Sequence, residues 1–251
     1  MPDTVIDDTS LADLSHARVT SIVTLAANCW HVGIVARLPH TLAGQYIQLV
    51  SWDGTRRYFS LASRPLPQPD GSTAFELLIS ASGDENGTTA LIAELQSRRS
   101  ARIDGPFGRA TLRSPASGGR YVFVSYDSGY AYVRGLLDAL RCERPTASAL
   151  FFRFSRTHVG NVADVYPSED TRARMPVTCI HLNGRESWPT DPASFILNHI
   201  SMLPNDWDIN SIYIGGSRKR ALALADDLVA AHVSPSQIIS DHLTIEEQQS
   251  C

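Results

Sequence analysis

Apolar and polar residues alternate through much of the first half of the chain. The alternation is strongest over Gly44-Gln45-Tyr46-Ile47-Gln48-Leu49-Val50. It is rougher but rich in Val, Ile and Thr over residues 16–25 and 30–38, which the turn Ala26-Ala27-Asn28 separates. A period of two predicts strands. Asp53-Gly54 is a hairpin signal that leads into a further strand at Arg57. Pro65, Pro67, Pro69 and Asp70-Gly71 predict a loop, and residues 75–82 another strand. Leu91, Ile92 and Leu95 have helical spacing and predict a short helix over 88–96. Residues 100–104 and 110–112 read as strands on either side of Gly105-Pro106-Phe107-Gly108. Many short strands with one helix predict a six-stranded antiparallel β-barrel.

The pattern changes after Ser114-Pro115-Ala116-Ser117-Gly118-Gly119, which reads as a linker. Short apolar runs at 121–125, 149–154, 177–182 and 212–214 now alternate with helical stretches at 131–141, 193–200 and 219–232. Strands separated by helices predict a parallel sheet with crossovers. The expected organisation is a β-barrel over residues 1–115 followed by an α/β parallel-sheet domain over 116–251.

Composition narrows the function classes. A chain of 251 residues accommodates two ordinary domains. The 43% hydrophobic and 19% charged content is that of a soluble globular protein. A net charge of −4 argues against nucleic acid as a partner. The cysteines stand at 29, 142, 179 and 251, with no Cys-x-x-Cys pair and no spacing suited to an iron–sulfur cluster. Electron transfer, if any, therefore calls for an organic cofactor. The eight histidines are scattered without helical metal-ligand spacing and read mostly as surface or loop residues. Residues 1–13 are acidic and unlike a signal peptide, and no apolar run reaches the length of a membrane span. A cytoplasmic protein with reduced thiols is expected, with no membrane partner and no metal.

The densest chemistry lies in Arg57-Tyr58-Phe59-Ser60-Leu61-Ala62-Ser63. Strand alternation puts Arg57, Phe59 and Leu61 on one face and Tyr58, Ser60 and Ala62 on the other. A planar, phosphate-bearing ligand needs such a mixture: a ring to stack on, a hydroxyl for a heteroatom and an arginine for the anion. An ordinary edge strand is the competing reading of these seven residues.

Arg-x-(Tyr/Phe)-Ser resembles the flavin-binding motif of the ferredoxin–NADP⁺ reductase superfamily. Gly44-Gln45-Tyr46, Arg57 to Ser63 and Gly105-Pro106-Phe107-Gly108 follow one another here in that superfamily's order. Within it, the chain is most similar to the NAD(P)H:flavin oxidoreductases. Glu76-Leu77-Leu78-Ile79-Ser80-Ala81-Ser82, Ser128-Gly129-Tyr130-Ala131-Tyr132-Val133-Arg134 and Ile212-Tyr213-Ile214-Gly215-Gly216 carry this further likeness. The resemblance implies a flavin (FAD or FMN) on the barrel, NADH or NADPH on the α/β domain, and hydride passing between them.

Carried over residue by residue, Arg57 would face a flavin phosphate or the ribityl chain, and Phe59 would flank the isoalloxazine. Ser60, the implied catalytic residue, would hydrogen-bond near flavin N5. The phenylalanine at 59, where tight flavin binders have tyrosine, fits looser binding, with Tyr58 able to compensate. Thr88 and Thr89 open the predicted helix, where the superfamily often binds flavin pyrophosphate; a simple N-cap is the competing reading. Arg156 sits where family arginines contact the adenosine ribose or its phosphate. Gly216 and Arg218 follow the last strand, in Gly215-Gly216-Ser217-Arg218-Lys219-Arg220, whose cations could bind cofactor phosphates and offset Asp127, or simply form a solvated helix face.

Two departures matter. The family's Gly-Gly-Thr-Gly turn is Tyr126-Asp127-Ser128-Gly129 here, which adds a bulky ring and a negative charge beside an expected pyrophosphate site. The family's Cys-Gly is Gly215-Gly216, so no thiol is available there. Three readings stay open. The first is an NAD(P)H-dependent flavin reductase supplying reduced flavin to a partner monooxygenase or a ferric acceptor. The second is an FAD-containing reductase component of an oxygenase system. The third is a flavin-binding or interaction protein on a reductase scaffold whose nicotinamide site has decayed.

Overall fold

Alternation of inward apolar and outward polar side chains builds the first sheet. In a computed structural model of the chain, residues 14–38, 40–81, 85–113, 119–156, 176–203 and 209–242 are described. Strands β1 (Ser15–Ala26), β2 (Cys29–Ala36), β3 (Tyr46–Val50), β4 (Arg56–Ser60), β5 (Leu66–Pro67), β6 (Thr73–Ser80) and β7 (Ser100–Phe107) pair in the order β4-β3-β7-β1-β2-β6-β5. Every named pairing among them is antiparallel. Strand β6 shows the principle most plainly. Thr73, Phe75, Leu77 and Ile79 are buried, while Ala74, Glu76, Leu78 and Ser80 are more open to solvent.

The sheet closes where β4 ends. Leu61 bridges to Leu77, and the Ala62 N–H donates to the Glu76 carbonyl at 2.8 Å. Six strands thus form the barrel, and β5 is a two-residue addition on β6. Helix α1 (Glu85–Arg98) packs Leu91, Ile92 and Leu95 into the barrel core. The β3–β4 hairpin forms at Asp53-Gly54 as expected, with Ser51 N–H on the Thr55 carbonyl at 2.8 Å.

The second sheet is parallel. Strands β8 (Arg120–Tyr126), β9 (Ser148–Ser155), β10 (Val177–Asn183), β11 (Ser211–Gly215) and β12 (Ile238–Ile239) run in the order β10-β9-β8-β11-β12. The central strands are buried along almost their whole length, as a sheet covered on both faces requires. Helix α2 (Tyr130–Glu143) covers one face. Helices α3 (Pro192–Ser201) and α4 (Arg218–Ala230) cover the other. Strand order reverses direction between β8 and β11, which is where α/β sheets open a ligand crevice.

Helix α2 also holds the two domains together. A Cβ on Gly135 would lie 2.3 Å from the Leu61 carbonyl oxygen, so only glycine admits this approach. Arg134 donates to the Ala62 carbonyl and to Glu76 at 2.8 Å, and the Arg64 N–H donates to Asp138 at 2.8 Å. The segment following β4 is therefore clamped by α2.

Four expectations need correction. Helix α1 begins at Glu85, not Thr88, so Thr88 and Thr89 lie inside it. Strand β7 runs on through Gly105 and Pro106 to Phe107. Residues 110–112 are not a strand. Their backbone is held by tyrosines of the α/β domain: the Tyr132 hydroxyl donates to the Ala110 carbonyl at 2.9 Å, and the neighbouring Arg113 N–H donates to the Tyr213 hydroxyl at 2.7 Å. His31 and His181 sit on strands and are partly buried, His31 through its 2.9 Å pairing with Glu76. The expected boundary at 115/116, residues 1–13, Ser82 and the polar tail 244–251 lie outside the described residues.

Candidate functional site

A cleft of about 450 Å³ opens between the two domains, lined by Tyr46, Tyr58, Phe59, Ser60, Ser128, Gly129, Gly216, Asp241 and His242. The barrel supplies one wall. Pairing of β3 with β4 sets Tyr46 opposite Ser60. Tyr58 is 64% exposed yet meets the Tyr46 ring edge-on at 5.6 Å, and Tyr46 in turn leans on Phe107 at 5.7 Å. An exposed ring propped from behind is a stacking surface for a planar ligand. Phe59 lies at the cleft lining and is partly buried against the barrel core.

The α/β domain supplies the facing wall at the reversal of strand order. The β8–α2 turn, Asp127–Gly129, lies against the end of β11. A Cβ on Gly129 would fall 2.1 Å from the Gly215 carbonyl carbon and the Gly216 nitrogen. Glycine at 129 is thus what lets turn and strand end touch, and the approach leaves peptide groups at the cleft surface. The structure brings Tyr58, Phe59, Ser60, Ser128, Gly129 and Gly216 together from distant parts of the chain.

The remaining residues singled out in the sequence lie elsewhere. Leu61 and Ala62 are fully buried in the barrel closure. The Ser63 hydroxyl accepts the Glu76 N–H at 2.9 Å and is structural. Arg57 is half-buried on β4 outside the cleft lining. Thr88 is buried and Thr89 exposed on α1. Arg218 opens α4 exposed to solvent, and Arg156 is engaged by Asp127.

Asp127 and Tyr126 do not sit as the sequence suggests. The Tyr126 ring stacks on Phe154 at 4.8 Å in the core of the α/β domain and is 4% exposed, so its bulk is directed away from the cleft. The Asp127 carboxylate is bound by Arg156 Nε at 2.8 Å and by Arg220 at 2.7 Å. The cation that meets it on α4 is Arg220 rather than Arg218.

Three lining residues escaped sequence reasoning as ligands. Tyr46 belongs to the quoted Gly-Gln-Tyr motif, and its strand alternation was a usable signal. Asp241 and His242 had none. They reach the cleft because β12 pairs with β11 and turns the following residues back across its end. His242 Nε2 lies 2.7 Å from the Gly216 carbonyl oxygen. Burial raises the Asp241 carboxyl, although the His242 charge opposes it. Burial, together with the nearby Tyr58 and Asp241, also raises the Tyr46 phenol.

No protein-family profile matches the chain, and no curated protein matches it either. Solved structures do. The ferredoxin reductase of carbazole 1,9a-dioxygenase superposes with a TM-score of 0.69 at 19% identity, over 91% of this chain and 69% of that one. An Amycolatopsis cytochrome P450 reductase gives 0.69 at 20% identity over the same shares. The FAD/NAD-binding domain of nitric oxide dioxygenase from Vibrio cholerae gives 0.62 at 14% identity, over 90% of this chain and 97% of that one. Ferredoxin–NADP⁺ reductase from Plasmodium falciparum is also similar, at 0.66 and 12% identity. The fold is that of the ferredoxin–NADP⁺ reductase-like proteins, the superfamily the sequence resembles.

Proposed function

We propose that the chain is an NAD(P)H-dependent flavin oxidoreductase that works in the interdomain cleft. One observation carries the reading. The exposed Tyr58 ring and the Ser60 hydroxyl of the barrel face Ser128, Gly129 and Gly216 at the strand-order reversal of the α/β sheet. Two ligand-binding walls, one aromatic and one of close-approaching backbone, meet across one space. The volume is within the usual range for cofactor pockets.

The residues fit a flavin. Tyr58 offers a ring face, Tyr46 fixes its tilt, and Ser60 offers a hydroxyl at the same wall. A bound flavin supplies hydride acceptance at N5, and a nicotinamide supplies the hydride. The protein's own work would be to orient the two groups for reaction and to keep water out. In this reading, Ser60 positions the flavin edge through its hydroxyl. The Gly129–Gly216 contact keeps side chains out of the nicotinamide's path. Asp241 and His242 close the cleft from the C-terminal side. Burial raises the Asp241 carboxyl at this edge of the cleft, against the opposing charge of His242.

The solved relatives are named as reductases of a dioxygenase and of a cytochrome P450. They support the wider reading that electrons pass on to a partner oxygenase or monooxygenase, either as released reduced flavin or from retained FAD. Of the two, release fits the barrel wall better, because the Tyr58 ring is open to solvent. Purification decides between them: a protein that retains stoichiometric FAD through gel filtration is a reductase component, and one that emerges colourless and reduces added flavin is a flavin reductase. Against the decayed-site reading stand the burial of Tyr126 and the pairing of Asp127 with two arginines.

A further inference from the structure

We propose that the end of the barrel around Trp52, away from the cleft, is a docking surface for an acidic segment of a partner protein. That this partner is the one receiving the electrons rests on the function proposed above; the surface itself does not.

Trp52 opens the β3–β4 turn and is 48% exposed. Its position is nevertheless fixed. The Trp52 N–H donates to both oxygens of the Glu94 carboxylate, at 3.0 and 3.2 Å. The Arg98 and Arg102 guanidinium groups lie 4.3 and 4.4 Å from the centre of its ring. Arg102 also donates to the Ser51 carbonyl, which joins β7, the turn and the ring into one unit. A large ring held in place before binding loses little freedom when a partner covers it. Trp and Arg together are the residues that dominate contact energies in protein interfaces.

Strand register spreads positive charge around this ring. Arg56, Val50, Arg102 and His16 are successive partners across β4, β3, β7 and β1. Arg18 continues the same face of β1 opposite Ser100, and Arg99, directly after α1, donates to the Thr20 carbonyl at 2.7 Å. Arg18, Arg56, Arg98 and Arg99 are all exposed. The carboxylates nearby are committed to backbone groups. Glu94 serves Trp52, and Asp53 accepts the Thr55 N–H at 2.8 Å. Asp104 accepts the Gly105 N–H at 2.9 Å, with Arg56 3.7 Å away. The arginines outnumber these carboxylates on a chain whose net charge is −4. A positive face on a negative protein steers and orients an acidic partner. The same net charge opposes the long polyphosphate backbone of nucleic acid.

The surface stands apart from the cleft. Tyr46 lines the cleft at the start of β3, whereas Trp52 follows the end of that strand. At about 3.3 Å per residue the two are separated by up to roughly 20 Å. A partner seated on Trp52 thus leaves the cleft mouth uncovered, and flavin can exchange while the two proteins stay together. Holding the acceptor close raises its effective concentration around a released ligand.

Fluorescence anisotropy tests the proposal without flavin or turnover. The probe is a short fluorescein-labelled peptide rich in glutamate with a central leucine, and its lysine counterpart is the control. The wild type is expected to bind the acidic peptide and not the basic one. Trp52→Ala is expected to weaken that binding roughly fivefold or more, as loss of an interface anchor does. Arg98→Glu is expected to weaken it roughly tenfold or more and to reduce its salt dependence. Nicotinamide oxidation by both variants is expected to match the wild type. Acidic-peptide binding unchanged in both variants overturns the proposal. So does tighter binding of phosphatidylserine vesicles or of single-stranded RNA that both substitutions abolish, or self-association in ultracentrifugation that Trp52→Ala removes. If Trp52→Ala melts below the wild type, Arg98→Gln, at an exposed position, replaces it, with the same loss expected and unchanged binding refuting the surface. A failure here leaves hydride transfer untouched. Conversely, a wild type that binds the peptide as described but oxidises no nicotinamide sinks the proposed function alone.

Discussion

Arg134 on α2 and Glu76 on β6 form an ion pair at 2.8 Å across the domain junction, with the Arg134 side chain 9% exposed. The same guanidinium holds the Ala62 carbonyl, two residues past Ser60. The geometry of the cleft's barrel wall is thus tied directly to the helix that begins at its other wall. Replacing Arg134 with alanine leaves Glu76 and the Ala62 carbonyl without this donor. A destabilisation of about 1.5–3 kcal/mol is expected for a charged hydrogen-bonding group. Urea unfolding of Arg134→Ala measures it, and a change within about 0.5 kcal/mol, the size of an ordinary surface substitution, contradicts the clamp.

Glu76 makes this junction sensitive to acid. Burial alone would raise its carboxyl, but the His31 hydrogen bond and the charge of Arg134 outweigh that and hold it at about 2, against an ordinary 4.5. A carboxyl lowered on folding stabilises the fold above its unfolded value, and that contribution fades as pH falls from about 4.5 towards 2. The melting temperatures of wild type and Glu76→Gln are therefore expected to differ most near neutral pH and to converge in that acid window. A gap that stays constant down to pH 3 would show that the ion pair contributes nothing.

Gly135 sets local preference against tertiary contact. Alanine is favoured over glycine in a helix interior by about 1 kcal/mol. Yet a Cβ there would lie 2.3 Å from the Leu61 carbonyl oxygen. Gly135→Ala is expected to lower stability by about 1–3 kcal/mol, the usual cost of overpacking, despite the better propensity. An unchanged or raised melting temperature would mean that α2 does not press on the barrel as described.

Tyr58 and Ser60 are expected to separate binding from turnover. Loss of the stacked ring in Tyr58→Ala should weaken flavin binding roughly 2–10-fold, from about 0.5–1.5 kcal/mol of aromatic contact. Quenching of flavin fluorescence on titration reads this directly. Ser60→Ala should slow turnover more than it weakens binding. The opposite order for Ser60 would make its hydroxyl a binding group alone.

What the sequence made legible follows from what is local. Alternation over Gly44 to Val50 marked β3, and residues 75–82 read as the strand that the structure places at Thr73–Ser80, with one face buried. The alternation of apolar runs and helical stretches after residue 119 marked the parallel sheet. Tyr58, Ser60, Ser128 and Gly129 stood out through short motifs with fixed spacing. The partners of long side chains were only partly legible. That the Arg218–Arg220 cluster could offset Asp127 was readable from its place after the last strand; that Arg156 shares the charge was not, since that depends on three elements converging. Tyr126 looked obstructive because strand alternation does not reveal which face of β8 meets Trp188 and Phe154. Asp241 and His242 escaped notice because the β11–β12 pairing that delivers them is only two residues long.

The most direct test of the account is nicotinamide oxidation. Purified protein is mixed with NADH or NADPH and excess FAD or FMN, and absorbance of the reduced nicotinamide is followed. Oxidation well above the protein-free rate with at least one donor, lowered by Ser60→Ala, is the predicted result. A folded protein that binds flavin but gives no oxidation above the protein-free rate with either donor would contradict it.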